Sequence, residues 1–228
     1  MNKQTLIIDF PLRGEWLTEV SPAYRIPSHG TNRFGLRYAF DFIQSKEKNG
    51  RRVTHNSSQI AYFIKGVSLE RYYCFNQPVF APFSGQVVVI ENSISDGQKA
   101  SWFHDQLGAI CNSLFFNSER DGFASIAGNY VILKGSDRIY AAFCHLKKDS
   151  ILVGLGEKVE CGQMIARVGH SGNSTEPHLH FHLMDSLDVE RANGLPFVFR
   201  QYEKWTGSTW EPVRSAIPDR NEKIRFNG

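Results

Sequence analysis

Short apolar runs that alternate with polar residues dominate the chain, and glycine, proline or asparagine separates them. Residues 79–91 predict a turn at 82–85 that leads into a strand, and residues 128–135 and 139–146 predict two strands joined by a turn. Further runs follow at intervals of about 8–12 residues, a spacing typical of a sandwich or barrel. The pattern therefore predicts a mainly β domain rather than a helical one.

Two stretches interrupt this rhythm. Residues 46–55 are polar and charged and predict a loop exposed to solvent. Within residues 93–127, side chains at approximately helical spacing predict a helix inserted between strands, namely Trp102, Gln106, Ala109, Ile110 and Ser113. The chain after Phe199 carries two tryptophans and turn-forming residues, and we expect it to wrap around the domain.

Length and composition narrow the function classes. A chain of 228 residues suits one large domain, or one domain with insertions, and a hydrophobic content of 41% is enough to form a core. The net charge is only +3 and the basic residues are dispersed, so no nucleic-acid partner is expected. Nothing approaches the ~18 apolar residues of a membrane span.

The N-terminal region bears on localisation. Its apolar run, Leu6–Ile8, ends at Asp9 and is too short for the core of a signal peptide. We therefore expect a cytoplasmic protein, unless the chain is the trimmed form of an exported one.

The cysteines do not indicate a metal site. They are scattered, lack the spacing of a cysteine-rich zinc site, and are expected to be buried thiols, with one disulfide as the alternative: Cys74, Cys111, Cys144 and Cys161.

The strongest chemical signal is a strand with three histidines. His178, His180 and His182 alternate with apolar residues, so their imidazoles share one face about 6.6 Å apart along the strand. Each imidazole has a donor and an acceptor that need partners, and neutral imidazole is the commonest transition-metal ligand. The pattern predicts a metal-binding strand.

Other segments offer further polar groups for such a site. His145 ends the apolar run 140–144, and Asp41 lies in the apolar run 38–43, where a carboxylate is unfavourable unless it is paired or binds a cation. A catalytic zinc typically has three protein ligands and one open position. His29, twelve residues before Asp41, is another candidate.

The order of these segments resembles peptidase family M23, the lysostaphin/LytM-type zinc metallopeptidases. The resemblance covers about residues 25–185, without insertions at about 44–74 and 93–127. It rests on Asp41 in its apolar strand and on five segments in order, residues 79–87, 128–133, 142–146, 154–165 and 169–181.

The resemblance implies a fold and an activity. The fold would be a single domain over residues 1–228, antiparallel, two-sheet or barrel-like, of the duplicated hybrid-motif type, with a helical insertion and a wrapping tail at 200–228. The activity would be that of a zinc-dependent endopeptidase, a hydrolase that cuts peptide bonds in the cross-bridges or stem peptides of bacterial peptidoglycan. The partner would be a peptidoglycan peptide.

The resemblance also implies residue roles. Asp41 and His180 would bind one zinc ion per chain, and His145 and His178 would be catalytic. The first ligand of the family lies four residues before its aspartate, where this chain has Arg37, which cannot bind a cation. We expect His29 to replace it.

The chain departs from the family pattern at two further positions. Glu176 replaces the usual glycine, and His182 stands where glutamate or glutamine is common. We expect His182 to support a ligand or lie at the rim. Three other histidines, His55, His104 and His170, are expected on the surface or in loops.

Two alternatives remain open from the sequence. One is a degenerate, metal-free family member that acts as a binding or activator module, for which Arg37 is the best argument. The other is a phosphohistidine carrier with paired histidines, which the aspartate ligand and the context of residues 174–180 do not suit.

Overall fold

The computed structural model describes residues 5–57, 66–100, 118–136 and 138–228. The strands are β1 (Leu6–Ile8), β2 (Gly14–Val20), β3 (Phe40–Ile43), β4 (Lys46–Lys48), β5 (Arg51–Val53), β6 (Val67–Ser68), β7 (Pro78–Phe80), β8 (Gly85–Glu91), β9 (Lys99–Ala100), β10 (Asn129–Lys134), β11 (Tyr140–Leu146), β12 (Lys158–Val159), β13 (Met164–Arg167), β14 (Leu179–Met184), β15 (Phe197–Trp205), β16 (Trp210–Ala216) and β17 (Lys223–Phe226). Helix α1 spans Ser118–Ala127, and 3-10 turns lie at Arg33–Tyr38 and Leu69–Arg71.

In the described part of the chain, eleven strands form a central sheet. Their order is β1-β15-β17-β2-β3-β14-β11-β10-β8-β12, with β16 paired to β15. The pairings are antiparallel except that of β1 with β15. The other strands form two-stranded sheets, β13 with β7, β4 with β5 and β6 with β9. The predicted mainly β fold class is confirmed.

The core explains why β3 and β14 lie side by side. Phe40 and Phe42 flank Asp41 on β3, and their rings stack with centroids 5.5 Å apart. On β14, Phe181 is fully buried and packs against Phe143 of β11 at 5.2 Å. Alternation on each strand thus sends the apolar residues into the core and the polar residues to the opposite face. That face carries the candidate site.

Residues 46–55 were predicted to form a loop exposed to solvent. The prediction is wrong for the backbone, part of which forms two strands, and correct for the exposure of the side chains on those strands. β4 and β5 form a hairpin, with Asn49 and Gly50 at φ of 53° and 69°. An Asn-Gly pair supplies the two positive φ values that a tight two-residue hairpin turn requires. The side chains of both strands are nevertheless largely exposed.

The helix predicted at Trp102–Ser113 lies outside the described residues. Within the same insertion, α1 has non-helical angles at Gly122 and leads into β10. The chain after Phe199 completes β15 and adds β16 and β17 to the central sheet. In the described residues, no helix combines the length and apolar character that crossing a bilayer requires.

Candidate metal centre

The pairing of β3 with β14 brings the first two candidate ligands together. Its register sets His180 opposite Asp41, and His180 Nδ1 lies 2.8 Å from Asp41 Oδ1. His180 is buried and the side chain of Asp41 is 14% exposed. Because β-pairing fixes both backbones, these two groups meet without a flexible loop.

His29 reaches the same carboxylate from the loop before β3. Its Nε2 atom lies 3.0 Å from Asp41 Oδ2. Ser28 Oγ lies 3.1 Å from His29 Nδ1 and donates to the carbonyl of Leu36, so its oxygen can accept the Nδ1 proton. This hydrogen bond leaves Nε2 as the nitrogen available for a cation.

Arg37 does not enter the site. Its guanidinium donates to Asn32 Oδ1 at 2.8 Å and to the hydroxyl of Tyr38 at 3.2 Å. The backbone N–H of Ser28 donates to the carbonyl of Arg37 at 3.1 Å, which closes the loop beneath His29. The longer loop thus places His29 beside Asp41 and turns Arg37 away.

The three ligand atoms suit a metal ion. One atom each from His29, Asp41 and His180 lies within 4.8 Å of the other two. Two imidazole nitrogens and a carboxylate oxygen form a common zinc donor set, and bond lengths near 2.0–2.2 Å require donors this close. The candidate ligand His180 also has a partner for its other ring nitrogen, because His180 Nε2 lies 3.2 Å from Nδ1 of the fully buried His182.

The electrostatics of the ligands reflect their mutual contact. Burial raises the pKa of Asp41, but the charges of His29 and His178 and hydrogen bonds from His180 and His29 outweigh it, and the pKa lies well below its usual value. Burial lowers the pKa of His29, and Asp41 more than reverses this. For His180 burial prevails and the pKa is lowered. The site therefore holds a carboxylate ready for a cation.

His145 and His178 face each other on the other side of the site, with ring centroids 4.6 Å apart. His145 Nδ1 lies 2.9 Å from the carbonyl oxygen of Ser171, and His178 Nδ1 lies 2.8 Å from that of Glu176. A carbonyl only accepts, so Nδ1 carries the proton in each ring. In the neutral form each Nε2 is then a lone-pair acceptor, and His178 Nε2 lies 3.7 Å from Asp41 Oδ1.

A bulge at the end of β11 orients His145. Its φ is 58°, and the pairing of β10 with β11 shifts register between Asn129 and Val131. Bulges redirect side chains, and histidine is among the residues that tolerate a positive φ. Burial, then the nearby His178 and His180, holds the pKa of His145 well below its usual value, so the ring is neutral.

A cavity of about 240 Å³ joins the two sides. It is lined by all five site residues predicted from the sequence, namely His29, Asp41, His145, His178 and His180.

Comparison with known proteins gives the same family resemblance as the sequence motifs. The model of peptidase family M23 matches residues 109–193. The resemblance to peptidase family M23 is confirmed. The chain is 29% identical over 106 residues to peptidoglycan DD-endopeptidase ShyC of Vibrio cholerae, covering 46% of this chain and 24% of that protein.

Further relatives have similar coverage. An uncharacterized metalloprotease of Buchnera aphidicola is 28% identical over 160 residues, covering 70% of this chain and 39% of that protein. The V. cholerae DD-endopeptidase ShyA is 43% identical over 58 residues, covering 25% of this chain and 13% of that protein. The chain thus spans well under half the length of these relatives. Among solved structures, the catalytic domain of lysostaphin from Staphylococcus simulans is 20% identical, with a TM-score of 0.40, covering 79% of this chain and 88% of that one.

Glu176, which stands where the M23 pattern usually has glycine, places a carboxyl group beside His178. Glu176 Oε2 accepts a hydrogen bond from Thr54 Oγ1 at 2.8 Å. Burial, then the charge of Glu19, raises the pKa of Glu176 to about 7. Glu19 itself, on β2, was not singled out from the sequence, because it belongs to no motif and reaches the site only through the pairing of β2 with β3.

Two hydroxyl groups behind the pair of His145 and His178 were also not predicted from the sequence. Ser171 Oγ accepts from the backbone N–H of Asn129 and donates to the carbonyl of Leu146. Ser174 Oγ donates to the Glu176 carbonyl at 2.7 Å, the same oxygen that holds His178. The serine- and threonine-rich run before residue 177 was the only signal, and it did not distinguish these two positions from their neighbours.

Expectations about three other residues were wrong in whole or in part. His170 lies in a loop, as expected, but it is buried rather than at the surface, and its Nδ1 lies 3.1 Å from Ser174 Oγ. Burial, then His178, lowers its pKa to about 4. His55 is also buried, with its ring 5.2 Å from that of Tyr72. Cys161 is exposed, whereas Cys74 and Cys144 are buried, and all three are free thiols. His104 and Cys111 lie outside the described residues.

Proposed function

We propose that this chain is a zinc-dependent endopeptidase that hydrolyses peptide bonds of peptidoglycan cross-bridges or stem peptides. The observation that carries the proposal is the meeting of three close ligand atoms and two backbone-held histidines on one cavity. The named DD-endopeptidase relatives support peptidoglycan as the substrate, although the chain aligns with only 24% and 13% of two of them.

The metal would be held by His29 Nε2, Asp41 and His180 Nδ1. Two neutral imidazoles and one carboxylate would leave the ion a net charge of about +1. When bound, zinc acts as a Lewis acid that polarises a carbonyl oxygen and makes water acidic enough to react near neutral pH. The contact of His180 Nε2 with His182 Nδ1 holds the ligand ring in the orientation that presents Nδ1.

The histidine pair would move the proton. His145 and His178 each bind a carbonyl through Nδ1, so Nε2 is the atom that can accept a proton from water. Once protonated, the same atom can donate to the leaving amine or to the developing oxyanion. Cys144 also lines the cavity, but burial raises the pKa of its thiol and so disfavours the nucleophilic thiolate. The proposal is therefore hydrolysis without a covalent intermediate.

Metal content is the first test. The purified protein, measured by mass spectrometry, is expected to hold about one zinc per chain and to lose it in His180→Ala and in His29→Ala. Arg37→Ala is the matched control, because Arg37 stands at the usual ligand position but points away, and this variant should keep its zinc. A wild-type protein that does not bind added zinc would instead support the alternative, a degenerate, metal-free family member that acts as a binding module.

Activity is the second test. Zinc-loaded protein incubated with purified peptidoglycan should release fragments with new amino termini, detected by liquid chromatography and mass spectrometry. The His180→Ala variant should release none. Zinc binding without any cleavage of peptidoglycan or of its peptides would contradict the proposed activity and leave only a metal-binding module.

A further inference from the structure

The cavity at the candidate metal centre has two unlike walls. One consists of the five candidate site residues, and the other, which we call the apolar wall, consists of Phe34, Leu36, Phe123, Ile126 and Ala127. Cys144, Asn173 and Thr175 complete the lining of the cavity. A peptide bond placed at the ligands would therefore have its neighbouring side chain against hydrocarbon. The function proposed above uses the first wall and assigns nothing to the second.

The apolar wall comes from two distant parts of the chain. Phe34 and Leu36 belong to the 3-10 turn before β3, whereas Phe123, Ile126 and Ala127 belong to α1 in the insertion. The rings of Phe34 and Phe123 meet with centroids 6.0 Å apart. Phe123 also packs edge-on against Tyr130 of β10 at 5.1 Å. These two contacts hold α1 against the 3-10 turn and against β10.

The 3-10 turn is fixed relative to the ligands. Phe34 and Gly35 have φ values of 57° and 74°, and a Cβ atom on Gly35 would lie 2.9 Å from Met184 Cβ and 3.3 Å from His182 Cδ2. The turn therefore seats directly on β14, the strand that carries His180. The loop that contains Asn173, before β14, is also hydrogen-bonded to α1, because the backbone N–H of Asn173 donates to the carbonyl of Ile126 at 3.0 Å.

We infer that the apolar wall is a substrate subsite for an uncharged apolar side chain next to the scissile bond, with Phe34 and Phe123 as its specificity-determining residues. This inference rests on the proposed endopeptidase function. The cavity volume is below the roughly 300–1,000 Å³ of sites for drug-sized ligands, so it fits a short peptide segment rather than a bulky group.

The chemistry of the wall decides which peptides fit. A glycine has no side chain to remove from water, so an all-glycine bridge gains nothing from these five residues. A charged side chain would lose hydration without a partner on the wall. A methyl or slightly larger apolar group gains, and one such carbon in a hydrophobic pocket typically changes the specificity constant by about 10- to 200-fold.

The test compares peptides that differ only in this side chain. The probes are five-residue peptides with blocked ends, made of glycine alone or of alanine alone, the latter in L and in D form. With zinc-loaded protein we expect at least one alanine peptide to have a kcat/KM about tenfold or more above that of the glycine peptide. Equal rates for the three peptides would overturn the subsite and leave the endopeptidase function standing.

Variants at Phe123 show whether the wall is responsible. Phe123→Ala should lower the preference for alanine by about tenfold at unchanged zinc content, and Phe123→Leu, which restores apolar volume, should keep most of it. Phe83→Ala is the matched control, because Phe83 is another partly buried phenylalanine that lines a different cavity. An unchanged preference in Phe123→Ala would refute the assignment.

Binding separates this inference from the proposed function. If neither these peptides nor peptidoglycan is cleaved, the endopeptidase function fails, and nuclear magnetic resonance titration of the zinc-loaded protein with the same peptides still decides the subsite. Tighter binding of alanine than of glycine, lost in Phe123→Ala, supports it. Equal binding, or no binding of either, overturns it.

Discussion

The two halves of the candidate site are built in different ways. In the ligand half, His29 and His180 both contact Asp41, so the three side chains hold one another through a shared carboxylate. In the histidine pair, His145 and His178 instead contact the carbonyl oxygens of Ser171 and Glu176. One half thus depends on its own side chains, and the other depends on the path of the backbone.

This difference has a consequence for substitution. Removing His29 or His180 leaves the buried carboxylate of Asp41 without one of its two partners, and removing Asp41 leaves both histidines without theirs. We therefore expect the arrangement of the whole ligand half to be lost with any one of its residues. Each histidine of the pair is held separately and can be removed while the ligands stay in contact. Metal binding and catalysis should therefore respond to different residues of one cavity.

The largest effect expected within the histidine pair is that of His145→Ala. This variant should keep about one zinc per chain and lose roughly 10²- to 10⁴-fold in kcat, the range typical of general acid–base catalysis. The measurement is zinc content beside peptide cleavage, with His180→Ala as the contrasting variant that loses both. Loss of zinc in His145→Ala, or full activity, would break the distinction between the two halves.

A smaller effect is expected behind the histidine pair. Ser174 Oγ donates to the carbonyl that also holds His178, and its oxygen lies 3.1 Å from His170 Nδ1. Removing one such hydrogen bond typically costs about 0.5–1.5 kcal/mol, so Ser174→Ala should lower kcat by up to about tenfold at unchanged KM and zinc content.

The Ser174 prediction has its own controls. Ser174→Thr keeps the hydroxyl and should restore most of kcat. Ser150→Ala removes a buried hydroxyl with a similar 2.7 Å bond to a carbonyl, that of Lys147, away from the cavity. If Ser150→Ala and Ser174→Ala lower kcat equally, the effect of Ser174 is one of general stability.

A separate effect, on stability and its pH dependence rather than on catalysis, concerns Glu176, whose folded pKa of about 7 exceeds its ordinary 4.5. Between these values the folded protein keeps a proton that the unfolded chain has lost, so wild-type stability falls as pH rises. Glu176→Gln lacks this loss. Its stability relative to wild type should increase from pH 4.5 to 7, by up to about 3 kcal/mol, and level off above pH 7.

Urea unfolding of Glu176→Gln and wild type at pH 5, 6, 7 and 8 measures this difference. The matched control is Glu91→Gln, because Glu91 is exposed and its pKa is lowered by Ser93 rather than raised by burial. A difference between Glu176→Gln and wild type that does not vary with pH would show that the carboxyl group is ionised in the folded protein at all these values.

Local pattern accounts for the parts of the structure that were predicted well. The alternation of histidines with Leu179, Phe181 and Leu183 places β14 correctly, because side-chain direction in a strand follows from period two alone. The two strands on either side of residues 135–138, β10 and β11, were placed correctly for the same reason. The burial of His170 and His55 was not predicted, because it depends on segments remote in the chain. The hairpin at Asn49 was missed although its Asn-Gly turn is a local signal.

The sequence by itself determined the mainly β class, the histidine strand and the residues offered for a metal site, because strand alternation and donor chemistry are local properties. Only the tertiary structure decided that the longer loop brings His29 to Asp41 as expected, that two carbonyls hold Nδ1 of His145 and His178, and that Phe123 lines the cavity. These arrangements depend on the loop closed by Ser28, the bulge at His145 and the seating of α1. Each is a distance between remote residues, which the folded chain sets and no local pattern encodes.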